Sequence, residues 1–249
     1  MSESERVPSG EHPSAAHRPP RSRSALVIAI DGPVGAGKST MARRLAAALG
    51  CVYVDSGAMY RAFGWKAVRE GVDLTDHARL AQLAATTDIR ILPGPAGPRV
   101  LVNGDDVTFA LRTPEMDQAA SLVSTCPVVR ERLVALQRSM GESVGLVMDG
   151  RDIGTVVFPD ADLKFFLDAD LAVRAERRRQ DLVLAGKPSD PAAVQDEVAR
   201  RDARDRGREA SPLRPAPDAI RIDSSALGAD EVLQRMLAEV ARLLEQDKS

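Results

Sequence analysis

Nine consecutive residues, Gly32-Pro33-Val34-Gly35-Ala36-Gly37-Lys38-Ser39-Thr40, constrain this chain more than any other stretch. The apolar run Ala25-Leu26-Val27-Ile28-Ala29-Ile30 leads into them and reads as a buried parallel strand. Behind them, Met41 to Leu49 reads as a helix stopped by Gly50. Strand, G-x-x-x-x-G-K-[ST] and helix together form a phosphate-binding loop in the setting that makes the pattern specific. Gly32, Gly35 and Gly37 allow backbone angles closed to other residues, so successive amide N–H groups can point inward at phosphate oxygens. The helix that follows adds the positive end of its dipole. Lys38 can bridge the β- and γ-phosphates, and the hydroxyl of Ser39 or Thr40 can ligate Mg²⁺. The pattern implies a bound nucleoside triphosphate.

Composition then narrows the partners. Lys and Arg number 34 against 36 Asp and Glu, a net charge of −2, which argues against bulk attraction to nucleic acid. Aromatic residues are 3% of the chain, too few for a base-stacking surface. No apolar run approaches the roughly 20 residues of a membrane span, and the N-terminus lacks the apolar core of a secretory signal. Cys51 and Cys126 share no metal or redox spacing and read as buried thiols. The expectation is a cytoplasmic enzyme, monomeric because no coiled-coil pattern is present.

The rest of the chain supplies a scaffold around the loop. Residues 1–24 are Ser, Pro, Glu and Arg with few apolar side chains, and read as a disordered tail. Cys51 to Val54 is a second strand, delivering Asp55-Ser56-Gly57 to the carboxyl edge of the sheet, where ligands sit in open α/β folds. A helix from about Tyr60 to Glu70 puts Arg61 in its first turns, where the dipole disfavours a cation. Phosphate binding would give Arg61 a use there; a solvated surface position is the alternative. After a short helix over Asp76 to Ala85, residues 88–92 and 99–102 alternate like strands across the turn-rich stretch Pro93 to Pro98. An antiparallel hairpin does not belong in a doubly wound core, so it reads as an insertion. Thr113-Pro114 opens the next helix, and another runs from about Pro127 to Met140.

A third core strand, Gly145 to Met148, ends in Asp149-Gly150-Arg151-Asp152, and a fourth, Leu163 to Leu167, ends at Asp168. Two arginine-rich helices flank the turn Gly186 to Asp190. The first carries Arg174, Arg177, Arg178 and Arg179; the second carries Arg200, Arg201, Arg204, Arg206 and Arg208. A fifth strand at Ala219 to Ile222 and an amphipathic helix over Ala229 to Glu245 close the chain. The alternation predicts an α/β fold with a five-stranded parallel sheet between two layers of helices.

Absences sort the chemistry. Asn103 is the single asparagine and is followed by Gly, so a guanine-reading N-K-x-D motif cannot exist; a transporter L-S-G-G-Q is absent as well. A small-molecule kinase remains, in which arginines from moving segments close over the phosphates. Phosphoryl transfer needs positive charge around three equatorial oxygens more than it needs a covalent partner. Arg61, Arg151 and the arginine-rich helices can supply it. Arg201, Asp205 and Arg208 stand at i, i+4 and i+7 on one helical face. That spacing suits ion pairing, and equally a ribose hydroxyl accepted by Asp205 between two arginines. Asp149 ends an apolar strand, the usual place for a carboxylate that orients Mg²⁺ or its water shell, which leaves Asp152 for the acceptor.

Four blocks now line up in order: Asp31-Gly32-Pro33-x-Gly35-Ala36-Gly37-Lys38, Asp55-Ser56-Gly57-Ala58-Met59-Tyr60-Arg61, Asp149-Gly150-Arg151-Asp152-Ile153-Gly154-Thr155 and Arg201-Asp202-x-Arg204-Asp205-Arg206-x-Arg208. Together they resemble the bacterial cytidylate kinases, from about Ala25 to the C-terminus; the tail lies outside the match. The resemblance implies transfer of the γ-phosphate of ATP to CMP or dCMP with Mg²⁺, directly and in line. It implies a P-loop NTPase three-layer sandwich with an inserted monophosphate-binding subdomain at about 57–145, containing a small antiparallel sheet, and a short lid at about 177–191. Residue by residue, Ser56, Ser121, Arg130, Asp152 and Arg208 resemble contacts to cytosine. Arg61 and Arg151 resemble a clamp on the acceptor phosphate, and Arg201 and Asp205 contacts to ribose and phosphate. Lys38, Arg151 and Asp149 take the catalytic positions. Without the resemblance, Ser121 and Arg130 read as helix-surface residues. Ser39 stands where glycine is also common in the family, which leaves the metal to Ser39 or Thr40. Two rivals share the loop: a kinase for another acceptor such as UMP, dTMP or a small alcohol, and a nucleotide-dependent switch that phosphorylates no metabolite.

Overall fold

β1 (Val27–Asp31) is the axis of the structure, a computed structural model that describes residues 22–92, 94, 97–142 and 144–247. The expected disordered tail lies outside the described residues as far as residue 21, as do 93, 95 and 96 of the hairpin loop; residues Arg23–Ala25 form a short 3-10 turn. Ile28, Ala29 and Ile30 are fully buried, as a strand covered on both faces requires. β6 (Leu146–Gly150) and β7 (Leu163–Asp168) pair with β1 on its two sides, and β2 (Val52–Asp55) and β8 (Ile220–Asp223) form the edges. The order β2-β6-β1-β7-β8 is parallel throughout. In register, Ile30 and Asp55 both stand opposite Asp149, and Asp31 opposite Gly150. Three carboxylates therefore reach one edge of the sheet.

Alternation sorts the two faces. Ile28 and Ile30 pack with Val147 and Phe165 against α1 (Lys38–Leu49) and α8 (Ala229–Gln246), through Met41, Leu45, Val232 and Met236. Ala29, Val54 and Met148 face the other way, onto Val134 of α5 (Pro127–Met140) and onto Ile153 and Val157. Residues Ile153–Val157 form one π-helical turn that the sequence pattern does not announce. Its first two amides, Ile153 N and Gly154 N, each donate to the buried Asp31 carboxylate at 2.8 Å.

Between β2 and β6 the chain builds a second body. It comprises α2 (Ser56–Arg69), α3 (His77–Thr86), β3 (Ile89–Leu92), β4 (Arg99–Val102), β5 (Asp105–Asp106), α4 (Pro114–Val123) and α5. The hairpin is antiparallel as expected, and β5 adds a third, two-residue strand. Met59, Phe63, Leu80, Ile89, Val102, Val123 and Leu133 give this body its own apolar core. α2 starts four residues before its expected position because the Asp55 side chain caps it, accepting from Ala58 N at 3.0 Å. Arg61 consequently sits in the second turn, and the dipole argument for it fails. Cys126 is buried as expected, whereas Cys51 is only half-buried, its thiol donating to Arg23 O at 3.3 Å.

α6 (Leu171–Leu184) and α7 (Pro191–Arg206) follow β7. Leu182, Val194 and Val198 form a small apolar cluster that also takes in Val34 of the phosphate loop. Among the described residues, no helix is long and apolar enough to cross a membrane.

Candidate active site

A cleft of about 800 Å³ opens at the carboxyl edge of the sheet, between the phosphate loop, the inserted body and the α6–α7 pair. On the loop side, Gly35 and Gly37 hold φ of +76° and +86°, angles that L side chains rarely adopt. A Cβ at Gly35 would lie 2.5 Å from Arg174 O, so the loop rests directly on α6. Arg174 braces it: this buried guanidinium donates to Val34 O at 3.1 Å and to Asp202 Oδ2 at 2.6 Å. Val34, Gly35, Gly37, Lys38, Ser39 and Thr40 line the cleft, while Gly32, Pro33 and Ala36 lie buried beneath it. Lys38 Nζ is folded onto Pro33 O at 2.6 Å. Burial, with Arg151 nearby, brings its pKa down to about 7.

Asp149 is the junction of the site. Its Oδ2 accepts from Ser39 Oγ at 2.8 Å, its Oδ1 from Tyr53 OH at 2.9 Å, and its backbone carbonyl from Ser56 Oγ at 2.7 Å. Burial, followed by the neighbouring Asp55, pushes its pKa up to about 6 against the pull of Lys38. Ser39, rather than the exposed Thr40, reaches this carboxylate. A hydroxyl beside a carboxylate is a hard-oxygen pair that suits Mg²⁺. Among the described residues, no group of three His, Cys, Asp or Glu side chains could hold a cation unaided, so a bound ion would take its remaining ligands from phosphate or water.

On the opposite wall, Asp152 and Arg130 form a fully buried ion pair. The Arg130 guanidinium also lies 5.5 Å from the centre of the Tyr60 ring. Asp205 receives Arg151 Nε at 2.8 Å and lies 3.0 Å from Arg208. Burial opposes its charge, yet Arg151 and Arg208 hold the Asp205 carboxyl below its usual range. Arg204 of α7 donates to Ser121 Oγ of α4 at 2.6 Å, which ties the two helices. α7 stops at Gly207, so Arg208 lies just past the helix on which it was expected and donates to Ser124 Oγ at 3.3 Å. Arg61 pairs with Asp55 at 2.7 Å. Arg201 is short of partners: its Nε is buried with no acceptor. Burial, then Arg151, draws its pKa down to about 10.

Ser56, Arg61, Ser121, Arg130, Asp149, Arg151, Asp152, Arg201, Asp205 and Arg208 thus meet Lys38, Ser39 and Thr40 around one cavity. The arginine-rich α6 divides by role. Arg174 braces the loop, Arg177 binds Ser224, Arg179 pairs with Glu176 at the surface, and Arg178 alone of the four lines the cleft. Tyr53 escaped the sequence reading although it precedes Asp55 by two residues in a strand, and so shares its face. Tyr60 and Asp117 also line the cavity unforeseen; Asp117 carries no local signal at all.

A family model described as cytidylate kinase matches residues 28–242. The cytidylate kinase of Geobacillus kaustophilus is 50% identical over 212 residues, covering 85% of this chain and 95% of that protein. The cytidylate kinase of Pelotomaculum thermopropionicum is 49% identical over 215 residues, covering 86% and 95%.

Proposed function

The chain belongs to the cytidylate kinase family, and on that footing we propose that it transfers the γ-phosphate of ATP to CMP or dCMP, giving ADP and CDP or dCDP. One observation carries the reading to these residues: the phosphate loop and the Asp152–Arg130, Asp205–Arg208 wall face each other across a single cleft.

The loop amides and Lys38 hold the donor phosphates, and Lys38 regains its charge as phosphate oxygens replace the Pro33 carbonyl. Ser39 and Asp149 would hold Mg²⁺, whose charge, when bound, offsets that on the β- and γ-phosphates. The inserted body, about residues 57–145, holds the monophosphate. Cytosine offers one exocyclic amine and the acceptors N3 and O2. A carboxylate and hydroxyls beside guanidinium groups match that edge, and Asp152, Ser56, Ser121, Arg130 and Arg208 supply them. The wrong base leaves buried polar groups unpaired, which makes rejection strong. Arg61 and Arg151 clamp the acceptor phosphate, while Arg201 and Asp205 take ribose and phosphate. The acceptor oxygen is already ionised, so the transfer runs directly in line without a strong base. The α6–α7 turn, about residues 177–191, closes over the phosphates and excludes water.

The test is turnover with Mg·ATP and each nucleoside monophosphate in turn, following ADP and diphosphate. Fast turnover with CMP and dCMP alone is expected. Turnover with another acceptor instead, or with none, would overturn the assignment.

A further inference from the structure

Asp117 is a carboxylate in the cleft that the reaction as derived does not use. It projects from α4, and two guanidinium groups from different elements share it. Arg178 of α6 lies 2.8 Å from Oδ2, with Glu197 farther from it at 3.7 Å. Arg61 of α2, which pairs more closely with Asp55 at 2.7 Å, lies 3.6 Å from Oδ1. Arg201 of α7 is a third cation within its field. These arginines are only partly used: Arg178 Nε and Arg201 Nε are both buried without an acceptor. A carboxylate brings two oxygens and one charge to a place where three guanidinium groups converge. A phosphoryl group would bring three oxygens and more charge. Among the described residues, Arg178–Asp117 is also the ion pair that joins the inserted body to the α6–α7 pair.

We propose that Asp117 is an internal counter-anion that stands in for a phosphoryl group, holding Arg178 and, together with Asp55, Arg61 while the cleft is empty and yielding them when nucleotide phosphates arrive. Asp117 is a positioning residue, and its role rests on the kinase reading for where those phosphates lie. It carries a cost. The carboxylate competes for the arginines and leaves a like charge beside the incoming phosphate, so its removal tightens phosphate binding.

The experiment compares wild type with Asp117→Asn, titrating inorganic pyrophosphate by calorimetry and measuring steady-state turnover with CMP. Solvent-exposed ion pairs shift an equilibrium by about twofold to fivefold, and this more sheltered pair is expected at the upper end of that range. The variant is expected to bind pyrophosphate tighter by about that factor, with the KM for CMP lowered and kcat not raised, and Asp117→Glu is expected to restore wild-type values. If Asp117→Asn does not fold, Asp117→Ser gives the same readout. Unchanged or weaker pyrophosphate binding would overturn the proposal, even if the variant melts earlier, because a mere brace would do no more than that. Pyrophosphate binding does not depend on the acceptor, so a wild type that ignores CMP would sink the kinase assignment and leave this result readable.

Discussion

Lys38 and Asp149 depart from their ordinary pKa values in opposite directions, each because burial disfavours its charged form. For Lys38 this sets a pH rule for nucleotide binding. With a pKa of about 7 in the empty site, the amine is protonated below that pH and neutral above it. Phosphate oxygens raise the pKa again, so bound protein holds a proton that free protein has lost. Affinity for ATP is therefore full below about pH 7 and declines as pH rises, by up to about tenfold per pH unit. Calorimetry near pH 8 in two buffers of different ionisation enthalpy should register uptake of nearly one proton, and Lys38→Met should abolish it. Binding that is flat with pH would refute the assignment of Lys38. On the far wall, Asp152→Asn keeps the shape of the Arg130 pair but removes its charge. It should raise the KM for CMP by about tenfold to a hundredfold while leaving that for ATP nearly unchanged. Equal losses on both substrates would contradict the division of the cleft.

Helices pack closely where side chains are small, and α2 against α4 is such a place. A Cβ at Gly64 would lie 2.9 Å from Ala119 Cβ and 3.2 Å from the Ala119 carbonyl carbon. Gly64→Val should cost about 1–3 kcal/mol of stability through overpacking, read as a lower Tm, and should weaken CMP because α4 carries Ser121. A Tm at the wild-type value would mean that α4 gives way freely. At this scale much was legible beforehand. The bounds of α5 follow from Pro127 and the apolar spacing, and the start of α4 from the Thr113 cap and Pro114. What escaped has a physical reason. α2 starts early because Asp55 serves both as the end of a strand and as a helix cap. The turn Ile153–Val157 is held by Asp31, more than a hundred residues away in the chain, and no local pattern records such a contact.

Over the whole molecule, apolar side chains gather in separate bodies: the sheet with its two faces, the insertion with its own core, and the small cluster under α6 and α7. Unliganded protein should therefore melt in calorimetry with a van't Hoff enthalpy below the calorimetric one, and nucleotides that bridge the bodies should bring the two values together. Equal enthalpies without ligand would show one cooperative unit instead. The linked blocks Asp55–Arg61, Asp149–Thr155 and Arg201–Arg208 were visible in the sequence, and the family resemblance implied that they meet around one site; the ion pairs that hold that site together were not visible. Chain order does not say that α4 and α6 share an ion pair. Asp31 has a wider consequence. The residue that ends the strand feeding the phosphate loop also grips the main chain just after Asp152. A shift of the strand that feeds the phosphate loop is thereby passed to the segment that carries Asp152, through one hidden carboxyl group.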